Sequence, residues 1–488
     1  MGENILVLDA GTTSTRAMLF APDGRLLGVA QKELTQHYPR PGWVEHDAAE
    51  IWSRTLACAR SVCAEATDGG VAAIGITNQR ETVVAWDKAT GEPLARAIVW
   101  QDRRTADVCA KLKEAGHEDE VQRRTGLLLD PYFSATKMRW LLDHEGPVRA
   151  AAQRGALAFG TVESWLVFKL TGGEHLSDAS NASRTLLLAL DGAQFDLGLC
   201  ELFGVPVRSL PRVVDTHGDL ARCDPQWLEA PIPICGLVGD QQSATIGQGC
   251  LSFGETKATY GTGAFVLTNK GGDIPRSDHR LLGTVLAQSG GVRTYALEGS
   301  VFVAGSLIQW LRDSLGLISS AAETEALARS IPDSGDVTIV PALSGLGAPH
   351  WRPEARGVIA GLSFSSGRAE MARAALEAMA HQTHDLAEAF AADGAPWTGL
   401  RIDGGMSAND WMAQDLADVL GMAVERPDFV ETTALGAALC AATGAGIHAS
   451  LEAAAVAMRG SARSFEPAMD EGTRRARLGR WRAALAAA

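Results

Sequence analysis

Ile5-Leu6-Val7-Leu8-Asp9-Ala10-Gly11-Thr12-Thr13-Ser14-Thr15-Arg16-Ala17-Met18-Leu19-Phe20 is a pair of short apolar runs joined by a turn of small and hydroxylated residues. Ile5–Leu8 reads as a buried strand and Arg16–Phe20 as a second. Asp9 ends the first strand, Gly11 lets a ligand approach the backbone, and Thr12, Thr13 and Ser14 add hydroxyls and N–H groups with Arg16 in reach. Such a hairpin can cradle phosphate oxygens while Asp9 faces a Mg²⁺ that bridges them. The same residues also fit an ordinary β-hairpin. No GxxxxGK[ST] and no GxGxxG in the required context is present, which argues against those nucleotide folds.

Outward from this hairpin, Pro22-Asp23-Gly24 signals a turn and Arg25–Ala30 a third strand. A helix is expected from Asp47, with Glu50 completing a capping box and Ile51, Leu56, Ala59 and Val62 on its apolar stripe. Val71–Thr77 is the next strand, so the order is β-β-β-α-β. A similar opening recurs past the middle. Lys257–Tyr260 leads through Gly261-Thr262-Gly263 into Ala264–Thr268 and the turn Asn269-Lys270-Gly271-Gly272. Strands at Leu281–Gln288 and Val292–Leu297 and a helix at Val301–Leu315 follow. The repeat predicts two similarly built α/β domains, residues 1–246 and 247–488, with a short crossing near residue 246 and a cleft close by.

The chain has 488 residues, room for two to four domains, and a 46% hydrophobic, 21% charged composition that is ordinary for a globular protein. Its 44 Lys+Arg against 58 Asp+Glu give a net charge of −14, a poor match to sequence-independent nucleic-acid binding. No apolar stretch approaches transmembrane length. Glu3 stands where a signal peptide carries a base, and Leu6 where a myristoylation signal after Gly2 carries Ser or Thr. The expectation is a cytoplasmic protein without membrane insertion. Eight scattered cysteines read as buried reduced thiols. The sequon Asn181-Ala182-Ser183 is then a chance match. A helix over Gly367–Phe390 carries His381 and His384; with no third ligand apparent, these read as structural. The basic, Ala-rich Arg474–Ala488 reads as a solvated terminal helix, with a membrane or partner helix as the alternative.

Three further stretches carry chemistry. In Gly236-Leu237-Val238-Gly239-Asp240-Gln241-Gln242 an apolar strand ends in a carboxylate, where α/β sheets bind ligands. Asp240 is placed to accept a proton from a substrate hydroxyl, or equally to cap a helix. Gly75-Ile76-Thr77-Asn78-Gln79-Arg80-Glu81-Thr82 also passes a strand end. Arg80 and Glu81 offer donors and an acceptor for two neighbouring hydroxyls, or form a solvent-facing ion pair. Trp100, followed by Gln101-Asp102-Arg103-Arg104, lies past a strand at Ala95–Val99. In Arg401-Ile402-Asp403-Gly404-Gly405-Met406-Ser407-Ala408-Asn409 paired glycines allow flat contact with an adenine or ribose, or make a plain turn.

The order and wording of these stretches resemble the FGGY carbohydrate kinases, and within them the glycerol-type members. Further matches are Pro41-Gly42-Trp43-Val44-Glu45-His46-Asp47, Ala97-Ile98-Val99-Trp100-Gln101, Asp130-Pro131-Tyr132-Phe133-Ser134, Asn181-Ala182-Ser183-Arg184-Thr185 and Ser344-Gly345-Leu346-Gly347-Ala348-Pro349. The similarity runs from about Ile5 to about Gly446. It implies an α/β fold of two ribonuclease-H-like, actin-type domains with mixed sheets, the site between them, and an ATP-dependent kinase acting on glycerol. By resemblance, Arg80, Glu81, Tyr132, Asp240 and Gln241 hold the glycerol hydroxyls, Trp100 and Phe265 pack on its carbons, and Asp240 is the general base. Thr12, Thr13, Ser14, Arg16 and Thr262 contact phosphates. Gly305, Gln309, Gly405 and Asn409 line the adenosine site. Asp9 and Asp240 face Mg²⁺. Alternatives left open are a kinase of the same family acting on another polyol or a ketose, and a non-metabolic actin-like ATPase. Two departures stand out. Ala10 replaces a glutamine associated with this hairpin, and Ala221–Pro233 lacks the Gly-Gly-x-Arg pattern tied to fructose 1,6-bisphosphate control, which is therefore not expected. A homo-oligomer, dimer or tetramer, is left open.

Overall fold

The structure, a computed structural model, describes residues 3–65, 70–352 and 354–488; Met1 and Gly2, read above for targeting signals, lie outside them. Two mixed sheets dominate. The first is built from β1 (Asn4–Ala10), β2 (Ser14–Phe20), β3 (Leu26–Glu33), β4 (Val71–Asn78), β5 (His217–Arg222) and β6 (Pro233–Gly239), in the order β5-β6-β4-β1-β2-β3. The meander β1-β2-β3 is antiparallel, and β4 and β6 run parallel to β1.

Successive side chains of β1 point to opposite faces, and its unbroken apolar run Ile5–Leu8 therefore buries both. Leu6 and Leu8 pack with Ile51, Leu56 and Val62 of helix α1 (Ala48–Glu65). Ile5 and Val7 face the opposite way, into a cluster with Ala434, Ala437 and Ala441. The start of α1 differs in detail from the expected capping box. Asp47 does cap it, accepting from the N–H groups of Ala49 (2.8 Å) and Glu50 (3.2 Å), but the Glu50 carboxylate turns to the N–H and hydroxyl of Thr35.

The second sheet contains β7 (Glu255–Tyr260), β8 (Ala264–Gly271), β9 (Leu282–Ser289), β10 (Val292–Val301), β11 (Gly399–Asp403), β12 (Val424–Pro427) and β13 (Ala462–Phe465), in the order β9-β10-β8-β7-β11-β12-β13. As in the first sheet, an antiparallel hairpin (β7-β8) is flanked by a strand parallel to its first member, β11. The expected repeat is therefore present, with one difference: β10, not β9, lies next to β8. Because β10 pairs along β8 as far as Val301, the following helix begins at Gly305 instead of Val301.

Helices α2 (Asp240–Gly247), α3 (Gly305–Asp313), α4 (Arg368–Ala392), α5 (Asp410–Leu420), α6 (Thr432–Gly444) and α7 (Glu471–Leu485) complete the frame. Although it follows the second sheet's strands β7–β12 in sequence, α6 packs on β6, β4 and β1 of the first sheet and against α2. Small residues make that approach possible. A Cβ on Gly436 would lie 1.8 Å from the carbonyl oxygen of Ser243, and one on Gly247 2.0 Å from that of Thr432. The terminal helix α7 is not simply solvated. Its Arg477 forks onto Asp415 (2.5 and 2.9 Å), and the fully buried Trp481 donates to Asp385 (2.9 Å) and stacks on His381. Among the described residues all eight cysteines are free, Asn181 is fully buried, and no helix is long and apolar enough to cross a membrane.

Candidate active site

Register brings three sequence-distant stretches to one edge. Asp9 of β1 lies opposite Thr77 of β4, which lies opposite Val238 of β6, so all three strands end together at their carboxyl ends. Asp9, the turn Gln79-Arg80-Glu81 and Asp240 therefore meet where ligands bind in such sheets. Asp240 opens α2 directly after β6, and Gly239 is what lets Arg80 lie against it. A Cβ there would come within 2.9 Å of the Arg80 side chain. Glu81 sits at φ 62°, a left-handed conformation that a non-glycine residue adopts at a cost of about 1–3 kcal/mol.

Arg80 and Glu81 are not a surface pair: they are 2% and 1% exposed. Arg80 reaches Asp240 (3.2 Å), Glu298 (2.6 Å), the side-chain oxygen of Gln242 (3.2 Å) and the Tyr132 hydroxyl (3.4 Å). Arg184 ties Glu81 (2.7 Å) to the other oxygen of Glu298 (3.0 Å). Lys257 donates to the Gln241 side chain (2.6 Å). Asp240 is the open member, with 30% of its side chain exposed. Burial pushes its carboxyl up to about 6; Arg80 opposes the rise and Glu81 adds to it. Burial works the same way on Glu298, but Arg184 and Arg80 prevail and hold it at about 2. Two carboxylates of one cluster are thus pushed apart, one fixed as an anion and one poised near neutrality. Beneath the turn, the buried Lys137 ammonium donates to the Tyr132 carbonyl (2.6 Å); burial lowers its pKa to about 7.

The first hairpin is anchored through its carbonyls. Thr13 accepts from the Leu34 N–H, Thr12 from the Gln36 amide (2.7 Å) and Gly11 from the Gln79 amide (2.9 Å). The Trp100 indole donates to the Thr12 hydroxyl (2.9 Å) and meets Tyr132 edge to face. Arg16, opposite Asp9 in the β1-β2 register, is held by Asp9 (2.8 Å) and by Glu431 (2.6 Å). The Asp9 carboxyl is raised by burial, with Arg16 opposing and Glu431 reinforcing.

The second hairpin borders a cleft of about 490 Å³ that Thr262, Gly305, Gln309, Gly405 and Asn409 all line. Gly261 and Thr262 accept from the first N–H groups of α3, locking hairpin and helix together. Gly404, at φ 86°, passes close to Tyr260, whereas a Cβ on Gly405 would meet nothing within 4 Å, leaving its face open. Asn409 caps α5 through Met412 N–H (3.0 Å).

The expected residues thus fall into two groups: Arg80, Glu81, Tyr132, Asp240 and Gln241 with the Trp100–Thr12 contact, and the cleft on the second sheet. Thr13 is exposed and Ser14 half-buried on the first hairpin. Phe265 is half-buried on β8 opposite Ser300. Sequence reading passed over Arg184, Gln242, Lys257, Glu298 and Glu431, and Arg312, Thr324 and Glu325 in the cleft. No local signal marked Lys257 or Glu298: each shares its strand with another charge, Glu255 in β7 and Arg293 in β10, and only burial sets them apart.

Similarity to known proteins agrees with this arrangement. The N-terminal domain of the FGGY family of carbohydrate kinases matches residues 4–247 and its C-terminal domain residues 256–445. The chain is 54% identical over 450 residues to a glycerol kinase of Rhodospirillum rubrum, covering 91% of each. It is 53% identical over 490 residues to one of Rhodospirillum centenum, covering 99% of this chain and 98% of that one. Among solved structures, a Plasmodium falciparum glycerol kinase with ADP superposes with a TM-score of 0.95 at 33% identity, covering 100% of this chain and 98% of its own. A gluconate kinase from Lactobacillus acidophilus, 20% identical, shares the fold (TM-score 0.89). Two mixed sheets opened by matching hairpins, an acid at a strand end beside a buried arginine, and these near-full-length matches lead to one conclusion: the chain belongs to the FGGY family of carbohydrate kinases.

Proposed function

We propose that this chain transfers the terminal phosphoryl group of ATP to glycerol, giving sn-glycerol 3-phosphate. The observation that carries the reading is Asp240, a partly open carboxylate with a pKa near 6 at the rim of a buried Arg80–Glu81 clamp. Glycerol has little carbon surface to bury, so affinity must come from its hydroxyls, and the paired donors and acceptors of Arg80, Glu81, Tyr132 and Gln241 suit neighbouring hydroxyls. A ligand lacking one leaves a buried charge unpaired, which is the basis of selectivity. Trp100 and Phe265 cover the carbon skeleton. Asp240 accepts the proton of the attacking hydroxyl, a role in which a pKa near the working pH is worth about 10²–10⁴-fold.

The nucleotide lies between the hairpins. Its adenosine takes the cleft at Gly305, Gln309, Gly405 and Asn409, and its phosphates meet Thr12, Thr13, Ser14 and Thr262. Arg16 holds Glu431 through Nη1 and Asp9 through Nη2, and its remaining N–H donors can serve a phosphate oxygen. Phosphoryl transfer needs placement and charge neutralisation more than covalent help. The donor set fits Mg²⁺: Asp9 and Asp240 are hard oxygen ligands whose carboxyls burial has made costly to ionise, a cost a cation offsets. When bound, the ion neutralises the transferring phosphate. ATP as co-substrate and free cysteines fit the reducing cytoplasm. We read residues 1–246 as the acceptor and first-phosphate domain and residues 247–488 as the adenosine domain, with α6 as the exchanged helix. A non-metabolic ATPase has no use for the buried hydroxyl clamp.

An ADP-release assay over glycerol, erythritol and a pentulose tests the reading. The highest kcat/KM is expected with glycerol, and equal or better turnover of the pentulose defeats it.

A further inference from the structure

Glu298 lies in β10, an inner strand of the second sheet, and is fully buried. Its register partners are Leu267 and Leu282, apolar residues that give it no hydrogen-bonding side chain within the sheet. Its carboxylate instead crosses to the first sheet's loops. One oxygen takes Arg80 Nη1 at 2.6 Å and the other takes Arg184 Nη2 at 3.0 Å. Gln242 adds a second acceptor to the same Arg80 nitrogen and is itself fixed by donating to Thr284 Oγ1 of β9 (3.0 Å).

With Nη1 occupied by Glu298 and Gln242, Arg80 has Nε beside Asp240 (3.2 Å) and Nη2 beside the Tyr132 hydroxyl (3.4 Å). Arg184, held at its Nη2, directs Nε to Glu81 (2.7 Å). A single carboxylate therefore sets the orientation of both guanidiniums. A buried ion cluster is seldom worth more to stability than well-packed apolar residues of the same volume, so stability is a weak reason for this one. If Glu298 were neutral, the anions left to Arg80 would be Glu81 (3.9 Å) and Asp240 (3.2 Å), both on its Nε side, and nothing charged would hold Nη1 in place.

We infer that Glu298 is a positioning residue of the acceptor site: a carboxylate supplied by the second sheet that holds Arg80 by Nη1, so that Nε is presented to Asp240 and Nη2 to Tyr132, and that sets Arg184 against Glu81. The inference rests on the reading of Arg80, Glu81 and Asp240 as the acceptor clamp, and it extends that clamp across both sheets.

Steady-state kinetics of Glu298→Gln and Glu298→Asp, with the melting temperature of each, decide the matter. In Glu298→Gln the KM for glycerol rises about ten- to a hundredfold while the KM for ATP stays within twofold, because only the acceptor clamp loses its alignment. Glu298→Asp keeps the charge one methylene short, so its glycerol KM falls between wild type and Gln, at least threefold raised. A glycerol KM within twofold of wild type in folded Glu298→Gln, or a parallel rise in both KM values, overturns the inference. Should Glu298→Gln not fold, Glu298→Asp decides alone by the same split: an unchanged glycerol KM, or both KM values raised together, overturns it. If wild type prefers another polyol to glycerol, the substrate reading fails separately, and the split is then measured on that polyol.

Discussion

Replacing Asp240 by Asn removes the proton acceptor and, with its charge, one of the two anionic ligands given to Mg²⁺, while keeping the shape of the side chain. The side chains are nearly isosteric, and the carboxylate's hydrogen bond from Gln241 N–H (2.7 Å) can be kept by the amide oxygen. Arg80 loses one anion at 3.2 Å but keeps Glu298 at 2.6 Å, so the clamp stays in place and the glycerol KM changes little. With its pKa near 6, Asp240 is about nine-tenths ionised at pH 7, so wild type already works with nearly all of its base available. The expected loss is therefore that of general-base catalysis itself, about 10²–10⁴-fold in kcat, or roughly 3–5 kcal/mol of barrier. Coupled ADP-release kinetics with glycerol and ATP varied separately measure it, and equilibrium binding of a nucleotide analogue checks that the second-sheet cleft is intact. A kcat within tenfold of wild type in folded Asp240→Asn refutes the assignment and moves the base elsewhere in the cluster, with Glu81 the first place to look.

Three further outcomes follow from the same geometry. The base must be ionised to act, so kcat/KM for glycerol should fall as pH drops through about 6 and level off above; a limb near 4, as for an ordinary aspartate, contradicts the burial argument. Gly436→Ala places a Cβ against a backbone carbonyl that cannot swing aside, so the α2–α6 contact must open. A loss of about 1–3 kcal/mol, seen as a lower melting temperature, is expected, and an unchanged one means the helices tolerate separation. Chelation of divalent cations should abolish turnover and added Mg²⁺ restore it; full activity in chelator removes the metal role given to Asp9 and Asp240.

Local sequence was enough for the parts of this protein that are held together by near neighbours. The β1–β2 hairpin follows from two short apolar runs around a Gly-Thr turn, and its counterpart at Gly261-Thr262-Gly263 follows from the same strand–turn–strand pattern. Asp47 could be read as the α1 cap because its partners are two and three residues away. The Gly404-Gly405 turn could also be singled out, since Gly404 takes a positive φ against the Tyr260 backbone, whereas Gly305 in the same cleft came only from the family resemblance. The acidic balance, the scattered thiols and the charged-then-apolar start of the chain likewise needed no coordinates.

Tertiary structure decided what charges do. Whether Arg80-Glu81 faced solvent or sat in the interior depended on Arg184 and Glu298, which lie 103 residues from Glu81 and 218 residues from Arg80 respectively. The fate of the basic C-terminal helix turned on Asp415, 62 residues before Arg477. Secondary-structure preference acts over a few residues, whereas desolvation and ion pairing act through space. A sequence can therefore single out Arg80, Glu81 and Asp240, but only tertiary packing makes arginines hold the Glu298 carboxyl down while burial raises that of Asp240.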